Sequence, residues 1–524
     1  MQKENAVRVK NFHYFLGFLG AMSMAGAFLV YLGTSRVGAE VSSDGLYYLS
    51  VAANLLKGKG FVDLYGNPLV QWPPLYPALL AFISLITRAD VFLVGWYLNV
   101  LLFGLIVFCS GLLLRKTFPD RMVLAYIGST IIAASPELIQ LCASVLSDPL
   151  FLLFVVLFLL ATRYFIETPK TRYLLWMGLL ACLGALDRYV GLALVLGGAA
   201  FLVYFYRRNY ARGLSRGVLF LLSGLPLMLW CIFHNYPVKG RLFGSYFRPN
   251  IGGNIYITVE KVLYWFVPYS IIKLATPFGL LIGILLVALF LSRPPDWKRW
   301  LERLVGQANF ANSALIIIYV GVLIFYSSYY EIDALNYNRF HIILLPSLLI
   351  VIFSVYEELG LPRIKTKMRD GVLLAVFIVW LAYPFSKIQH FELQARINGG
   401  IVYNSYNFAD IAQSDFLKQA EELPAGQKIY SNYERAGWFY LRRDILILPR
   451  LNLKTNRLDP TSVKNFRNSI GPNGGGYIVW FNTINTREYL PSLDQISQII
   501  KLRPVFTSDV GDIYYIQSDL PASR

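Results

Sequence analysis

The stretch that decides the fold is YFLGFLGAMSMAGAFLVYLG, Tyr14–Gly33, which contains no charged residue. A helix of about 20 apolar residues is long enough to cross the hydrocarbon core of a bilayer. Lys3, Arg8 and Lys10 precede the run, and basic residues mark the cytoplasmic side of a span. Because a signal peptide has a shorter apolar core of about 7–15 residues, we interpret the run as a retained first transmembrane helix.

The composition extends this interpretation to the whole chain. Of 524 residues, 56% are hydrophobic and only 15% are charged, against about 25% charged in ordinary soluble domains. The net charge of +17 is spread in clusters between long apolar runs, whereas a nucleic-acid binder gathers its basic residues on one solvated surface. We therefore predict a polytopic membrane protein and no nucleic-acid partner.

Further apolar runs predict about eleven spans in total. The predicted spans are residues 14–33, 92–114, 122–142, 149–163, 173–187, 189–206, 217–233, 274–292, 311–328, 340–356 and 371–386. If these spans alternate, the basic clusters between them all lie on the cytoplasmic side, as the N-terminus does. This orientation requires the short apolar run Leu75–Ile86 to lie in the outer interface instead of crossing.

The chain becomes polar after the last predicted span. Helical patterns (407–422, 433–442 and 492–501) alternate there with strand-like runs, namely Lys428–Ser431, Ile445–Leu448, Tyr477–Phe481 and Ile513–Ile516. Such alternation favours a small α/β domain. We predict two domains: a transmembrane domain at 1–386, whose first outer loop is 34–91, and an extracytoplasmic α/β domain at 387–524.

The first outer loop holds the earliest candidate site residues. SDGLYY (43–48) places Asp44 and Tyr47 near the lipid headgroups, and LKGKGF (56–61) adds Lys57 and Lys59. WPPLYP (72–77) follows, with Tyr76. A carboxylate beside basic and aromatic side chains suits a phosphate-bearing lipid, although Asp44 equally fits a helix cap.

Four other outer positions carry charge, and each has a structural alternative. Glu137 follows Ser135-Pro136, and Asp148 lies in SDPL (147–150), a common way to begin a helix. Arg188, next to Asp187, fits a snorkelling side chain equally well. Arg339 in NRF (338–340) fits either an interface anchor or a phosphate clamp.

Together these residues would place carboxylates and cations on one face of the membrane. That set suits glycosyl transfer from a polyprenyl-phosphate sugar. One carboxylate, Asp44, would deprotonate the acceptor, and basic groups or a divalent cation such as Mg²⁺ or Mn²⁺, held by Asp44 and Asp148, would stabilise the departing phosphate. A single base without a covalent intermediate predicts inversion.

At this point the chain resembles the integral-membrane GT-C glycosyltransferases, in the branch of protein O-mannosyltransferases and the lipid A aminoarabinose transferase. The resemblance covers about residues 1–390 and rests on ordered motifs, which are SDGLYY (43–48), LKGKGF (56–61), WPPLYP (72–77), SDPLF (147–151), RYVGL (188–192), and NRF (338–340) with LLP (344–346). It implies a catalytic role for Asp44, a second acidic site with Asp148 and Glu137, and donor-phosphate contacts from Arg339 and the Lys57/Lys59 pair.

The chain departs from this pattern at two points. HNY (234–236) stands where relatives often have Arg-Asn, which weakens the case for a donor contact from that loop. The Trp-Trp-Asp-Tyr-Gly motif of oligosaccharyltransferases is absent, which argues against N-glycosylation. The four cysteines lie inside apolar runs without paired spacing and are expected to be unpaired.

The expected enzyme lies in a bacterial inner membrane, with the N-terminus in the cytoplasm and the C-terminal domain outside. The donor would be a polyprenyl-phosphate sugar, and the acceptor a lipid, a glycan or a protein. One alternative is an O-antigen polymerase or ligase, which relies on outer arginines and lacks an early acidic loop. The other is a transporter of lipid-linked sugars, for which internal repeats and charges at the midplane are typical.

Overall fold

The computed structural model describes residues 2–240, 251–268, 306, 309–329, 338–358, 366–398, 408–453, 455–470, 475–483 and 490–517. The predicted span 274–292 lies outside these residues. Up to residue 398 the named elements are helices, connected by turns and short loops. The α-helices of this part are α1 (Gln2–Thr34), α2 (Ser43–Leu56), α3 (Leu75–Thr87), α4 (Val91–Thr117), α5 (Met122–Ala133), α6 (Pro136–Cys142), α7 (Asp148–Glu167), α8 (Thr171–Asp187), α9 (Leu192–Phe205), α10 (Tyr210–Leu221), α11 (Leu225–Trp230), α12 (Tyr236–Lys239), α13 (Ile251–Tyr264), α14 (Phe310–Tyr329), α15 (Asn338–His341), α16 (Leu345–Glu358), α17 (Thr366–Trp380) and α18 (Ala382–Asn398).

Six helical stretches of the described chain are long and apolar enough to cross a membrane. They are Phe12–Thr34, Val91–Thr117, Asp148–Glu167, Tyr210–Val238, Asn338–Glu357 and Asp370–Gln394. The pair α5–α6, bent by 50°, makes a seventh if it is one broken span. Helices also occupy the predicted spans 173–187, 189–206 and 311–328. The number of about eleven stays a prediction.

The first two long helices pack closely because glycines lie between them. α1 packs along α4, and a Cβ atom on Gly26 would lie 2.2 Å from the ring of Phe103. A Cβ atom on Gly111 would lie 2.3 Å from Leu19. Small residues at such contacts let helix backbones approach within a membrane, where packing replaces the hydrophobic driving force.

The run predicted to lie in the interface forms the 13-residue helix α3. At 1.5 Å per residue it is about 20 Å long, short of the roughly 30 Å of a hydrocarbon core. It follows Pro74 and ends at Arg88, which adopts the left-handed conformation with φ 58°. Phe82, Leu85 and Ile86 leave an apolar side exposed, and the position of this helix in the interface stays a prediction.

The part of the chain after residue 408 contains a five-stranded sheet of order β2-β1-β5-β7-β6. β1 pairs in parallel with β2 and β5, whereas β7 pairs antiparallel with β5 and β6. A separate hairpin joins β3 and β4. The strands are β1 (Ile429–Ser431), β2 (Ile445–Ile447), β3 (Leu451–Asn452), β4 (Arg457–Leu458), β5 (Tyr477–Phe481), β6 (Lys501–Thr507) and β7 (Gly511–Gln517), and the helices are α19 (Ala409–Ala412), α20 (Asp415–Glu421), α21 (Glu434–Leu441), α22 (Pro460–Ile470) and α23 (Leu493–Ser497).

Both faces of this sheet are covered, because alternate residues of a strand point to opposite sides. Ile478 and Trp480 of β5 pack into a cluster with Phe466 of α22. Val479 and Phe481 join the main core instead. The strands predicted at four positions are present, and β3, β4, β6 and α22 are additional elements.

The C-terminal sheet region packs against the start of α4. The ring of Phe439 in α21 meets that of Phe92 in α4 at 5.2 Å. Arg442, at the end of α21, donates hydrogen bonds of 3.2 and 3.3 Å to the Asp90 carboxylate, which also caps α4. These contacts bring α21 next to the first outer loop, where the candidate site lies.

Candidate active site

Asp44 lies in the first turn of α2 but does not cap it. The cap is Ser42, whose Oγ accepts a hydrogen bond from the Gly45 amide at 3.3 Å. The Asp44 carboxylate instead accepts a hydrogen bond from Arg339, with 2.6 Å between Oδ2 and Nη2. A Cβ atom on Gly45 would lie 2.6 Å from the Val145 carbonyl oxygen, so only glycine allows this turn to pack so closely.

Asp148 forms a second, more deeply buried ion pair with Arg188. Its side chain is 0% exposed, and Oδ2 lies 2.6 Å from Nη1 of Arg188. The same nitrogen donates to the Ser147 hydroxyl at 3.2 Å, and that hydroxyl also meets the Tyr48 hydroxyl at 3.2 Å. The other carboxylate oxygen, Oδ1, has no hydrogen-bond partner within the described residues.

Phe340 brings the two ion pairs together. The guanidinium of Arg339 lies 4.6 Å from the centre of its ring, and that of Arg188 lies 4.9 Å from it. Both distances fit cation–π contacts. Tyr319 fixes the Phe340 backbone by donating a hydrogen bond of 2.7 Å to its carbonyl oxygen. The two predicted acids and the two predicted arginines therefore form one cluster around one aromatic ring.

Aromatic side chains of the first outer loop line this cluster. The ring of Tyr48 contacts those of Tyr76 at 5.1 Å and Trp72 at 5.8 Å. Trp72 also lies 4.9 Å from Tyr47. Tyr76 is fully buried and donates a hydrogen bond of 3.2 Å to Asn99. Tyr76 thus contacts the cluster through Tyr48, whereas the half-buried Tyr47 follows Asp44 by three residues in α2.

The remaining predicted residues have other partners. Glu137 pairs with Lys387 of α18 at 2.8 Å, and Lys387 also lies 3.6 Å from the ring centre of Tyr264. Lys59 pairs at 3.5 Å with Asp444 of the C-terminal region, and both side chains are exposed. Lys57 is exposed at the end of α2. Their role in donor binding stays a prediction.

HNY (234–236), where the chain departs from the family pattern, lies beside the first outer loop. His234 stacks on Trp230 at 4.0 Å, and both rings contact Phe61 edge to face. Asn235 is buried and donates a hydrogen bond of 2.8 Å to the Tyr189 hydroxyl. All four cysteines are free, as expected.

Two further acids lie near the site: Glu40, which was not singled out from the sequence, and Asp187, which was noted only as the neighbour of Arg188. Glu40 accepts a hydrogen bond of 2.9 Å from the Ser144 hydroxyl, and burial raises the pKa of its carboxyl group from 4.5 to about 7 despite this bond and nearby Arg339. Asp187 is buried, and neither carboxylate oxygen has a hydrogen-bond partner within the described chain. Glu40 lies in no motif that indicates chemistry.

The donor groups for a metal ion are few in this part of the protein. Within the ranges that the structure describes, no group of three or more His, Cys, Asp or Glu side chains could hold a metal ion. Asp44 and Asp148 are each engaged by an arginine. The two arginines are groups of this site that can stabilise negative charge, and the divalent cation at Asp44 and Asp148 stays a prediction.

Comparison of the sequence with protein-family models and with curated proteins finds no match. Solved structures are similar in fold. ArnT from Cupriavidus metallidurans in the apo state has a TM-score of 0.61 and 12% identity over 96% of this chain and 99% of that one. ArnT bound to undecaprenyl phosphate gives 0.59 and 11% over 97% and 99%.

A third similar structure is the archaeal oligosaccharyltransferase AglB from Archaeoglobus fulgidus, in complex with an inhibitory peptide and a dolichol-phosphate. Its TM-score is 0.51, with 11% identity over 90% of this chain and 70% of that one. The chain therefore shares its fold with ArnT and AglB, and the resemblance seen in the sequence motifs is confirmed at the level of the fold. With six candidate spans in the described residues, it is a multi-pass membrane protein.

Proposed function

We propose that the chain is a glycosyltransferase that moves a sugar from a polyprenyl-phosphate donor to a lipid, glycan or protein acceptor at the outer face of the membrane. One observation carries the proposal: the ion pairs Asp44–Arg339 and Asp148–Arg188 meet at Phe340 within a GT-C fold. The bound undecaprenyl phosphate of ArnT and dolichol-phosphate of AglB support the class of donor.

Asp44 is assigned the role of the base. Its carboxylate takes the proton of the acceptor hydroxyl or amine, and the acceptor oxygen or nitrogen forms a bond to the anomeric carbon. The bond between that carbon and the phosphate oxygen breaks, and both electrons leave with the polyprenyl phosphate. Since the attack is in line and involves no covalent enzyme intermediate, the anomeric configuration inverts.

Arg339 and Arg188 are assigned to the phosphate. A guanidinium group presents five N–H donors in a planar fork, so one group can bind a carboxylate and a phosphate oxygen at the same time. Such pre-placed donors stabilise the charge that grows on the leaving group. Tyr47 and Trp72, which are partly exposed, would contact the lipid or the sugar beside them. The fully buried Tyr76 would support them through its contact with Tyr48.

The orientation follows from the proposal. A donor at the outer face places the first turns of α4 and α7 on the outer side of the membrane. The C-terminal sheet region is then outside, and the N-terminus is in the cytoplasm. The membrane is the inner membrane of a bacterial cell. The distribution of basic residues supports this orientation.

The test measures release of the lipid carrier. Membranes containing the full-length chain are incubated with a panel of polyprenyl-phosphate hexoses and pentoses, and free polyprenyl phosphate is quantified by mass spectrometry. We expect Asp44→Asn to lower the rate by about 100- to 10,000-fold, the usual contribution of a general base. Asp444→Asn, an exposed acid of the C-terminal region, is the matched control and should leave the rate unchanged. An Asp44→Asn rate equal to that of the unmodified protein refutes the proposal.

A further inference from the structure

The N-terminal turn of α21 meets the first outer loop next to Asp44. Glu434 accepts a hydrogen bond of 2.9 Å from the Tyr65 hydroxyl. Arg435 donates to the same hydroxyl at 3.4 Å and to the Ser43 hydroxyl at 3.3 Å. Ser43 is the immediate neighbour of Asp44, so a residue of the C-terminal region reaches the turn that carries the candidate base.

Arg435 also contacts the next turn of α2. Its guanidinium carbon lies 5.8 Å from the centre of the Tyr47 ring, within the range of a cation–π contact. Ser43 and Tyr47 are four residues apart and therefore neighbours on one helix surface. Arg435 thus holds α2 at two points, one just before Asp44 and one a turn after it.

The position of this turn is decisive for the proposed chemistry. A catalytic group displaced by about 1 Å can lose about 100-fold in rate. Within α2, this turn is held by its Ser42 cap through a single hydrogen bond of 3.3 Å. Arg435 adds a tertiary contact to this turn. Its planar guanidinium carries several donors, so it restricts the orientation of the contact as well as its distance.

We propose that Arg435 is a positioning residue for Asp44, so that the C-terminal sheet region is part of the catalytic apparatus. This inference rests on the proposed function and goes beyond it, because it gives the C-terminal region a role in the chemical step. Arg435 acts through the first turn of α2 and does not itself contact the donor.

A matched pair of variants tests the inference. Arg435→Ala removes the contact to α2, whereas Arg442→Ala removes the contact between the other end of α21 and Asp90. Carrier release is measured with the donor of the panel that the unmodified protein uses. We expect Arg435→Ala to lower kcat by about 10- to 100-fold with KM for the donor within about twofold of its original value. Arg442→Ala should change neither, and Arg435→Lys should recover part of kcat.

A double substitution gives a readout that a purely structural role would not move. If Arg435 acts through Asp44, then Arg435→Ala lowers the residual rate of the Asp44→Asn protein by less than threefold, because the group it positions is already gone. The inference is overturned if Arg435→Ala lowers the rate of the Asp44→Asn protein by the same factor as it lowers the rate of the unmodified protein. So does a rise in donor KM with unchanged kcat, which would place the guanidinium on the donor.

Folding is checked independently by thermal unfolding of each variant in detergent. Equal loss of activity in Arg435→Ala and Arg442→Ala would show that the C-terminal region only stabilises the protein, and would overturn the positioning role. If Asp44→Asn abolishes carrier release while Arg435→Ala does not lower it, this inference fails and the proposed function stands. If Asp44→Asn also has no effect, the proposed function itself fails.

Discussion

Replacement of Arg188 by leucine should destabilise the protein strongly, because it leaves Asp148 without its ion-pair partner. The Asp148 side chain is 0% exposed. Among the described residues, the Arg188 guanidinium is the only group that donates a hydrogen bond to its carboxylate, at 2.6 Å. Removing one member of a buried ion pair costs about 3–5 kcal/mol. At 1.4 kcal/mol per factor of ten, a loss of about 4 kcal/mol changes the unfolding equilibrium by roughly 1,000-fold.

The pair Lys116–Glu167 is the matched control, because its distance of 2.5 Å is nearly the same while its acid is 53% exposed. We expect Lys116→Leu to cost less than about 1 kcal/mol, since solvent screens an exposed pair. Both variants are compared by equilibrium unfolding with sodium dodecyl sulfate in mixed micelles, followed by tryptophan fluorescence.

Adding Asp148→Asn to Arg188→Leu removes the buried charge and should recover at least about 2 kcal/mol of the loss. The reasoning is refuted if Arg188→Leu costs no more than Lys116→Leu. It is also refuted if Asp148→Asn makes the Arg188→Leu protein less stable. Because unfolding is measured without donor or acceptor, neither result depends on the proposed function.

Glu40→Gln should stabilise the protein at alkaline pH, because the raised pKa of about 7 means that the folded state holds a proton that the unfolded chain releases above 4.5. The stability of the unmodified protein should therefore fall as pH rises from 4.5 to 7, by at most about 3 kcal/mol. In thermal unfolding, Glu40→Gln should be as stable as the unmodified protein at pH 4 and more stable at pH 8. A stability difference that is the same at both pH values would contradict this. Cysteines introduced at Lys57 and Arg208, after removal of the native four, should react with impermeant maleimide from opposite sides of the membrane. Reaction from the same side would refute the orientation. Chelation with EDTA should leave carrier release unchanged if arginines stabilise the leaving phosphate, and a loss restored by Mg²⁺ or Mn²⁺ would instead support the predicted cation site.

The sequence was informative where a single segment contains its own evidence. The length of the apolar run in α1 predicts a long helix, and the thirteen residues of α3 predict a short one. Asp44 could be selected because it closely follows the first predicted span, and Asp148 because it immediately precedes the fourth. Helix α22 could have been predicted too, since Asp459 and Pro460 form a common helix start and Asp459 accepts a hydrogen bond from the Ser462 amide.

Pairing across the chain could not be predicted. Nothing in the spacing of residues shows that Asp44 pairs with Arg339, 295 positions away, or that Arg435 reaches Ser43 across 392 positions. The proximity of Lys57 and Lys59 to Asp44 in sequence suggested a shared site, but α2 carries them a helix length away from its first turn. Strand β6 was hidden because Pro504 interrupts its pattern. The structure accommodates that proline in an edge strand with a register shift before Phe506.

The charge balance of the cluster has a consequence for how the proposed reaction would begin. Asp44, Asp148, Arg188 and Arg339 sum to zero, so the donor phosphate would add a net negative charge to a largely buried site. The Asp148–Arg188 pair is the more buried of the two, and breaking it would leave a carboxylate without solvent. Arg339 is the group that can turn toward the phosphate at lower cost, since both it and Asp44 are partly exposed. Donor binding would then weaken the contact between Arg339 and Asp44 and leave that carboxylate free to face the acceptor when the donor is in place.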